Sequence, residues 1–497
     1  MNVCDPGARR ISRTVVLATT VLASLALLTG CATYSSKLSD LKPQLADGKY
    51  DEALVTVDQN AGKKDLLLRY LETGLILHYA DRFIESNEAF SAAERTADEL
   101  YTKSISEGAF SLFTNDNAIS YRARPFEMAM VPYYKALNYI YLGDREAAQV
   151  EARRASLQVA RYVDATLDGL REQDREVFAR IRNNAFLLYY SGMLYDWDGE
   201  LNDAFIAYRN AAVAYQQNHA LVDVDIPPSL GLDLTRVAGR LGFGEELAQL
   251  RQSCPDVFAL AQDGDGPPLS REDYDKAAAW RRGYGEVVLL LETGFVAQKS
   301  QLRFDFPIFT GEAYNDPAYW SWQIVAGLGN MQALVAGYKI EYWVSVAAPQ
   351  LDDQETGPVA GARVTAGVAG DHRVTSRIDN LTRQARITFD AEKPSIFFKT
   401  ILRGLTKYLA TRGAEKAGGS WAGVVANIFG AVSESADTRS WLTLPEHINL
   451  ARLSLPPGTY DLQVELLGYG GQSLGTRVIE GVEVVAGDWT FLSRRVF

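Results

Sequence analysis

"FLLYYSGMLYDWDGELNDAFIAYRNA", residues 186–211, holds two apolar helical runs joined at Asp198-Gly199. Gly192 sits in the middle of the first run, and Ala204 and Ala211 punctuate the second. Small side chains at those places let two helices approach closely while their neighbours are bulky. The same grammar recurs at "DGKYDEAL" from 47, "ADRFIESNEAF" from 80 and "LGDREAAQVEARRA" from 142. Each time a turn is followed two residues later by a core residue, then by a small one. Aligning the turns puts Gly74, Ser86 and Ala93 in one unit, and Ala136, Ala148 and Ala155 in the next. A partial unit from Leu41 carries Gly48, Tyr50 and Ala53 in register. Paired helices with small residues at every crossing predict a helical array over residues 41–252.

The spacing of small residues is that of a tetratricopeptide-like (TPR-like) repeat. Successive units lie 33, 62 and 56 residues apart, against about 34 for the standard repeat. Extra helices or loops are therefore predicted within "SLFTNDNAISYRARPFE" and "RYVDATLDGLREQDREVFARI". An irregular helical bundle is the plainer reading of the same pattern. The first helices of the units would line a concave face carrying His78, Tyr79, Tyr133, Tyr141, Tyr189, Asp196 and Trp197. Aromatics at helical spacing are usually core. Tyr and Trp also dominate contact hot spots, so this face is the candidate partner-binding groove.

From about residue 253 the pattern breaks. Cys254-Pro255, a Gly/Asp run and Pro267-Pro268 mark a linker over 253–283, with a short helix over Glu272–Arg281 behind Ser270. Beyond Gly285 the period changes to two and β-branched and aromatic residues dominate. "EVVLLLETGFVAQKS", "GYKIEYWVSVAAP", "GARVTAGVAG" and "HRVTSRIDN" read as strands, as do the segments on both sides of "PPGTY" and the last 25 residues. Alternating Leu462, Val464 and Leu466 after that turn describe a half-buried strand. The expectation is a β-sandwich over 284–497, immunoglobulin-like or transthyretin-like. Residues 394–441 interrupt it with two apolar stretches around Gly418-Gly419, read as a helical hairpin. The hairpin either lies buried on the sandwich or contacts a partner or membrane. The fold class expected is thus multidomain α + β, a TPR-like array followed by a β-sandwich with a helical insertion.

Upstream, Arg9, Arg10 and Arg13 precede fifteen uncharged residues, Thr14 to Leu28, and the tetrapeptide Leu28-Thr29-Gly30-Cys31 closes the segment. A basic start, a short apolar run and a small residue before the break describe an export signal over 1–30. Its last four residues resemble the bacterial lipobox, which makes Cys31 the predicted lipid attachment site and 31–40 a tether. Ala32 resembles the outer-membrane address of such lipoproteins, giving a periplasm-facing, outer-membrane location. Acyl chains contribute about 0.8 kcal/mol per buried methylene, so two or three hold a protein on a membrane.

Composition limits the function classes. Fifty basic and 62 acidic residues leave a net charge of −12, and no basic patch points to nucleic acid. With Cys4 removed and Cys31 lipidated, Cys254 stands alone and no internal disulfide forms. His78, His219, His372 and His447 are the only histidines, and none has metal-site spacing. "GGSWAG" around Ser420 has Ala422 where a nucleophile elbow needs glycine. "DWDG" at 196 and "DGDG" at 263 fail as calcium loops. No catalytic residue, cofactor or metal is assigned, and a non-enzymatic protein is expected.

"FEMAMVPYYKALNYIYLGDREAAQVEARRA", "NNAFLLYYSGMLYDWDGELNDAFIAYRNA", "RGLTKYLATRGAEKAGG" and "ADTRSWLTLPEHINLARLSLPPGTY" together resemble an uncharacterised family of proteobacterial TPR-like outer-membrane lipoproteins. The resemblance implies a lipoprotein without an assigned reaction. It also implies cell-envelope partners, with lipoproteins that activate a peptidoglycan synthase among them. The function expected is a periplasmic adaptor or scaffold. The alternatives are a subunit of an oligomeric export or membrane-remodelling assembly using 394–441, and a glycan- or peptidoglycan-binding module.

Overall fold

The computed structural model describes residues 33–102, 117, 119–167, 172–259, 283–309, 340–352, 357–367, 372–418 and 435–497. Helices fill the N-terminal half and sheets the C-terminal half. The helices are α1 (Tyr34–Lys37), α2 (Leu41–Ala46), α3 (Tyr50–Asn60), α4 (Leu66–Tyr79), α5 (Phe83–Thr102), α6 (Pro125–Tyr141) and α7 (Arg145–Leu167). They continue as α8 (Glu172–Arg180), α9 (Ala185–Asp198), α10 (Leu201–Val222), α11 (Pro228–Leu241) and α12 (Gly244–Ser253).

The helices pair as the turns dictate: α4 with α5, α6 with α7, α9 with α10. Each connecting turn needs one left-handed residue, supplied by Gly143 (φ 75°) and Gly199 (φ 85°), and by Asp81 (φ 57°) in the first pair. Asp is one of the few side chains that tolerates that conformation. At the crossings the small residues are buried. A methyl carbon added to Gly74 would lie 2.7 Å from the Phe90 ring, and one added to Gly192 would lie 2.5 Å from Cε1 of Tyr208. Lys135 on α6 joins three helices, pairing with Glu94 of α5 at 3.0 Å and Glu151 of α7 at 2.8 Å. The extra length after α7 contains α8, as its spacing predicts, whereas the first part of the other segment, 111–116, lies outside the described residues.

The strands are β1 (Gly285–Thr293), β2 (Gln298–Phe309), β3 (Ile340–Asp352), β4 (Val359–Ala366), β5 (His372–Val374), β6 (Ser376–Asn380), β7 (His447–Leu455), β8 (Gly458–Gly468), β9 (Ser473–Val484) and β10 (Trp489–Val496). One sheet has the order β10-β1-β7-β6, a second β5-β4-β8-β9, and β2 pairs with β3 alone. In the first sheet β1 runs parallel to β10, from Glu286↔Trp489 to Thr293↔Val496, and antiparallel to β7.

Alternate residues of β1 enter different cores. Val287, Leu289 and Leu291 pack with Val364 of β4, Leu462 and Val464 of β8, and Val482 of β9. Val288 and Leu290 join Ile448, Leu450 and Phe491 in a core shared with the helices. All nine β1 residues are buried. A strand covered on both faces reads as a continuous apolar run rather than an alternating one, which "EVVLLLE" does. The boundary expected between 252 and 284 is therefore no boundary in packing, since one hydrophobic core crosses it.

Three other expectations change. The segment expected to be a tether, 31–40, is not free of the fold, because Tyr34 and Leu38 are in the helical core. The helical part ends not at 252 but in a 3₁₀ turn over Pro255–Phe258, with Cys254 buried beside it. The predicted hairpin limb from 394 belongs to a longer helix, α13 (Leu381–Gly418), whose Asn380 accepts the Arg383 N–H at 2.9 Å and so starts it earlier. Residues 435–446 are not helical, and the remainder of the second limb, like the linker helix near 272–281, lies outside the described residues.

Candidate functional site

Of the seven side chains expected in an open groove, His78, Tyr133, Tyr189 and Asp196 are buried, and Tyr79, Tyr141 and Trp197 are half-buried against other parts of the same chain. Glu292 of β1 is fully buried and accepts hydrogen bonds from three tyrosine hydroxyls: Tyr79 at 2.6 Å, Tyr133 at 3.0 Å and Tyr134 at 3.3 Å. Burial, and then the Glu292 charge, push all three phenols well above their ordinary pKa, so they remain donors. Tyr141 accepts the Ser493 N–H of β10 at 2.7 Å. Trp197 Nε1 donates to Asp488 at 2.6 Å, and the Arg145 guanidinium lies 4.0 Å over the indole while pairing with the same carboxylate.

Tyr189 donates to Asp233 of α11 at 2.9 Å, and Arg452 of β7 binds Asp233 and Glu286 of β1, each at 2.8 Å. Asp196 pairs with Arg236 and accepts from Tyr208 at 3.0 Å. Among the described residues, His78 makes no direct bond to the sheet but lies 5.4 and 5.1 Å from the rings of Tyr79 and Tyr134. Its Nδ1 meets Asn138 Oδ1 at 2.6 Å, and burial lowers its pKa. The candidate partner-binding groove is thus corrected to an internal joint. A row of aromatic and polar side chains on the first helices of the pairs is complementary to a strand carrying Glu286 and Glu292 among apolar residues.

Sequence reading missed the carboxylates on the other side of this joint. Glu72 of α4 accepts the Leu442 N–H at 2.7 Å and the Thr443 hydroxyl, while Glu127 of α6 accepts the Trp441 N–H at 2.8 Å. Desolvation raises Glu72 to about 7 against these hydrogen bonds. At the far end, Asp379 is raised to about 7 by burial, with Asn184, the Asn380 N–H and Gln384 opposing the rise. A charged residue inside "VLLLE" was the available signal: a carboxylate in a strand buried on both faces must meet partners from a packed layer.

Two of the openings at the surface are lined by polar or apolar groups among the described residues. A groove of about 340 Å³ on the outside of α5 and α6 is lined by Ile84, Asn87, Tyr139 and Leu142. A polar hollow of about 380 Å³ where α10 meets β6 and β7 is lined by His219, Asp223, Asp225, Arg377 and Asn449. His447 nearby is buried and neutral, its pKa lowered to about 3 by desolvation and by Arg377. Among the described residues, no group of three or more His, Cys, Asp or Glu is placed to hold a metal ion. No helix among them is long and apolar enough to cross a membrane. No protein-family model, curated protein or solved structure matches the chain.

Proposed function

We propose that this protein is a lipid-anchored scaffold of the bacterial cell envelope, non-enzymatic and facing the periplasm from the outer membrane. In this reading the helix pairs are TPR-like units, and the two four-stranded sheets with their shared core are a β-sandwich. The observation that carries the proposal is the internal joint. Reactive-looking side chains on the array's inner face hold the sheet, so the molecule offers partners a single block with fixed outer surfaces. Tyr34 is buried three residues after Cys31, which supports a block carried close to the bilayer rather than on a long leash. Envelope proteins, among them activators of a peptidoglycan synthase, are the partners this reading names.

Photo-crosslinking tests it. A photoreactive residue at Leu157, which is 72% exposed on α7, should capture a discrete envelope protein in living cells. The same probe at Tyr133 should yield only products within the chain. Capture of nothing above an unrelated lipoprotein, from Leu157 and from Val150 alike, refutes the scaffold.

A second reading, an oligomeric export or remodelling assembly, is favoured by one feature. The two-stranded β2–β3 sheet stands apart from the others with α13 packed on β3, and a lone two-stranded sheet is marginal by itself. Light scattering of the unlipidated protein separates the readings, a monomer favouring the scaffold.

A further inference from the structure

Strand β9 ends the sheet β5-β4-β8-β9, and its outer side has no strand partner among the described residues. Its first six residues, Ser473–Val478, are all exposed, before Ile479 enters the core shared with β1. Thr476 and Val478 stand on the face away from that core, opposite Glu465 and Gln463 of β8. Leu474 is 41% exposed and Val478 53%. A bare edge pairs with other strands unless Lys, Pro, bulges or inward charges blunt it. This one contains no Lys or Pro, and over 473–479 its single charge is Arg477. It has one bulge, at Leu474, which no β8 residue faces.

The pleat limits what fits. Residues directly opposite in an antiparallel pair share a face, so a strand meeting its own copy has the two-fold axis through a residue. An axis through Arg477 sets two arginines against each other, which is destabilising. Through Val478 it sets Leu474 against Val482, which is buried in the core. Through Gly475 it leaves Val478 facing Gln472, outside the strand. Through Thr476, Leu474 meets Val478 on both sides of the axis, Thr476 meets Thr476, and Arg477 meets Gly475. Apolar and Thr–Thr pairs across strands are both stabilising. The strand is its own complement in that register.

We propose that β9 pairs antiparallel with β9 of a second copy of this chain, about a two-fold axis at Thr476. Seven residues a side, Ser473–Ile479, fall short of the about 20–30 of a stable complex. Pairs therefore form at high local concentration, and dilute protein stays monomeric. The pairing does not depend on the anchored reading above; attachment to one membrane raises the local concentration that drives it.

Cysteine cross-linking of concentrated, unlipidated protein starting at Ala32 tests it, since its native Cys254 is buried. Directly opposite Cα atoms lie about 4.5–5.5 Å apart, within disulfide reach. Only the axis residue faces itself. Thr476→Cys alone should therefore give at least about tenfold more oxidised dimer than Leu157→Cys, whose exposed site on α7 reports random collisions. Leu474→Cys and Val478→Cys should each stay at the collisional level alone and cross-link when mixed. Val478→Lys added to Thr476→Cys should abolish the excess, with thermal melts confirming the fold. No excess at Thr476, no gain on mixing, or an excess untouched by Val478→Lys overturns the pairing. So does full-length Thr476→Cys that joins another protein in cells and never a second copy.

Discussion

Gly192→Ala puts one methyl carbon 2.5 Å from Cε1 of Tyr208, inside the distance that real contacts allow. The ring is fully buried and cannot swing into solvent, and its hydroxyl is tied to Asp196 at 3.0 Å. Asp196 in turn pairs with Arg236, so the strain has nowhere soft to go. Overpacking of this kind costs about 1–3 kcal/mol. Loss of a hydrogen bond to a charged group adds about 1.5–3 kcal/mol if the ring is displaced. Alanine should therefore destabilise by about 2–4 kcal/mol and leucine by more, even though alanine is the better helix former. Gly239 of α11 is the control. It has nothing within 4 Å of an added methyl, so Gly239→Ala should be neutral or stabilising by up to about 1 kcal/mol. Urea unfolding followed by circular dichroism measures both, and a double-mutant cycle with Tyr208→Ala should show coupling above about 1 kcal/mol. A Gly192→Ala variant within about 0.5 kcal/mol of the parent, or one with no coupling to Tyr208, refutes the close crossing and the repeat phase built on it.

Glu292→Leu removes the acceptor shared by Tyr79, Tyr133 and Tyr134. At about 1–3 kcal/mol per stranded buried hydroxyl, it should unfold the joint at far lower urea than Glu292→Gln, which keeps one acceptor oxygen. Glu72 has a folded pKa near 7, above its ordinary value of 4.5. The folded state therefore holds this proton more tightly, and the resulting stability is fully present below about 4.5 and lost as pH rises through 7. Stability of the parent relative to Glu72→Gln should rise as pH falls from 7.5 to 5, and a flat difference would contradict the desolvated site. His447 runs the other way. Neutral when folded down to about pH 3, it contributes stability above 6.5 that fades as pH falls, so His447→Gln should lessen acid sensitivity below 6. Cys31→Ser should abolish labelling by a palmitate analogue, since a hydroxyl is a far weaker nucleophile than a thiolate. A mutant that still labels overturns the anchor.

The helical half was legible because its constraints are local. Gly192, Ala204 and Ala211 are small for a reason that nearby residues impose, and the turn glycines mark helix ends directly. Most strands were legible by period and turn chemistry, but β2 was not legible beyond its first residues, and β5 and β6 read as one. Partnership between the halves was not. A row such as His78, Tyr133 and Tyr189 looks the same whether it faces a foreign peptide or the chain's own sheet, and the deciding residues, Glu286, Glu292 and Arg452, lie 97 or more positions away from it. The start of α13 was missed because "SRIDNLTRQARITFD" has polar residues on a face that turns out to cap and hydrogen-bond, with Asp379 and Asn380 closing its first turn.

The parallel pairing of β10 with β1 has a bearing on the order of synthesis. Helices α1 to α12 can form as they leave the ribosome, but β1 gains its second neighbour only when Trp489–Val496 arrives. At about 5–20 residues per second, the tyrosines of the inner helical face wait tens of seconds for the sheet that finally covers them. Throughout that interval the nascent chain presents a sticky half-molecule to whatever is nearby. Any chaperone that attends it should bind the same row of aromatics that the last strands later claim, and should be displaced by them.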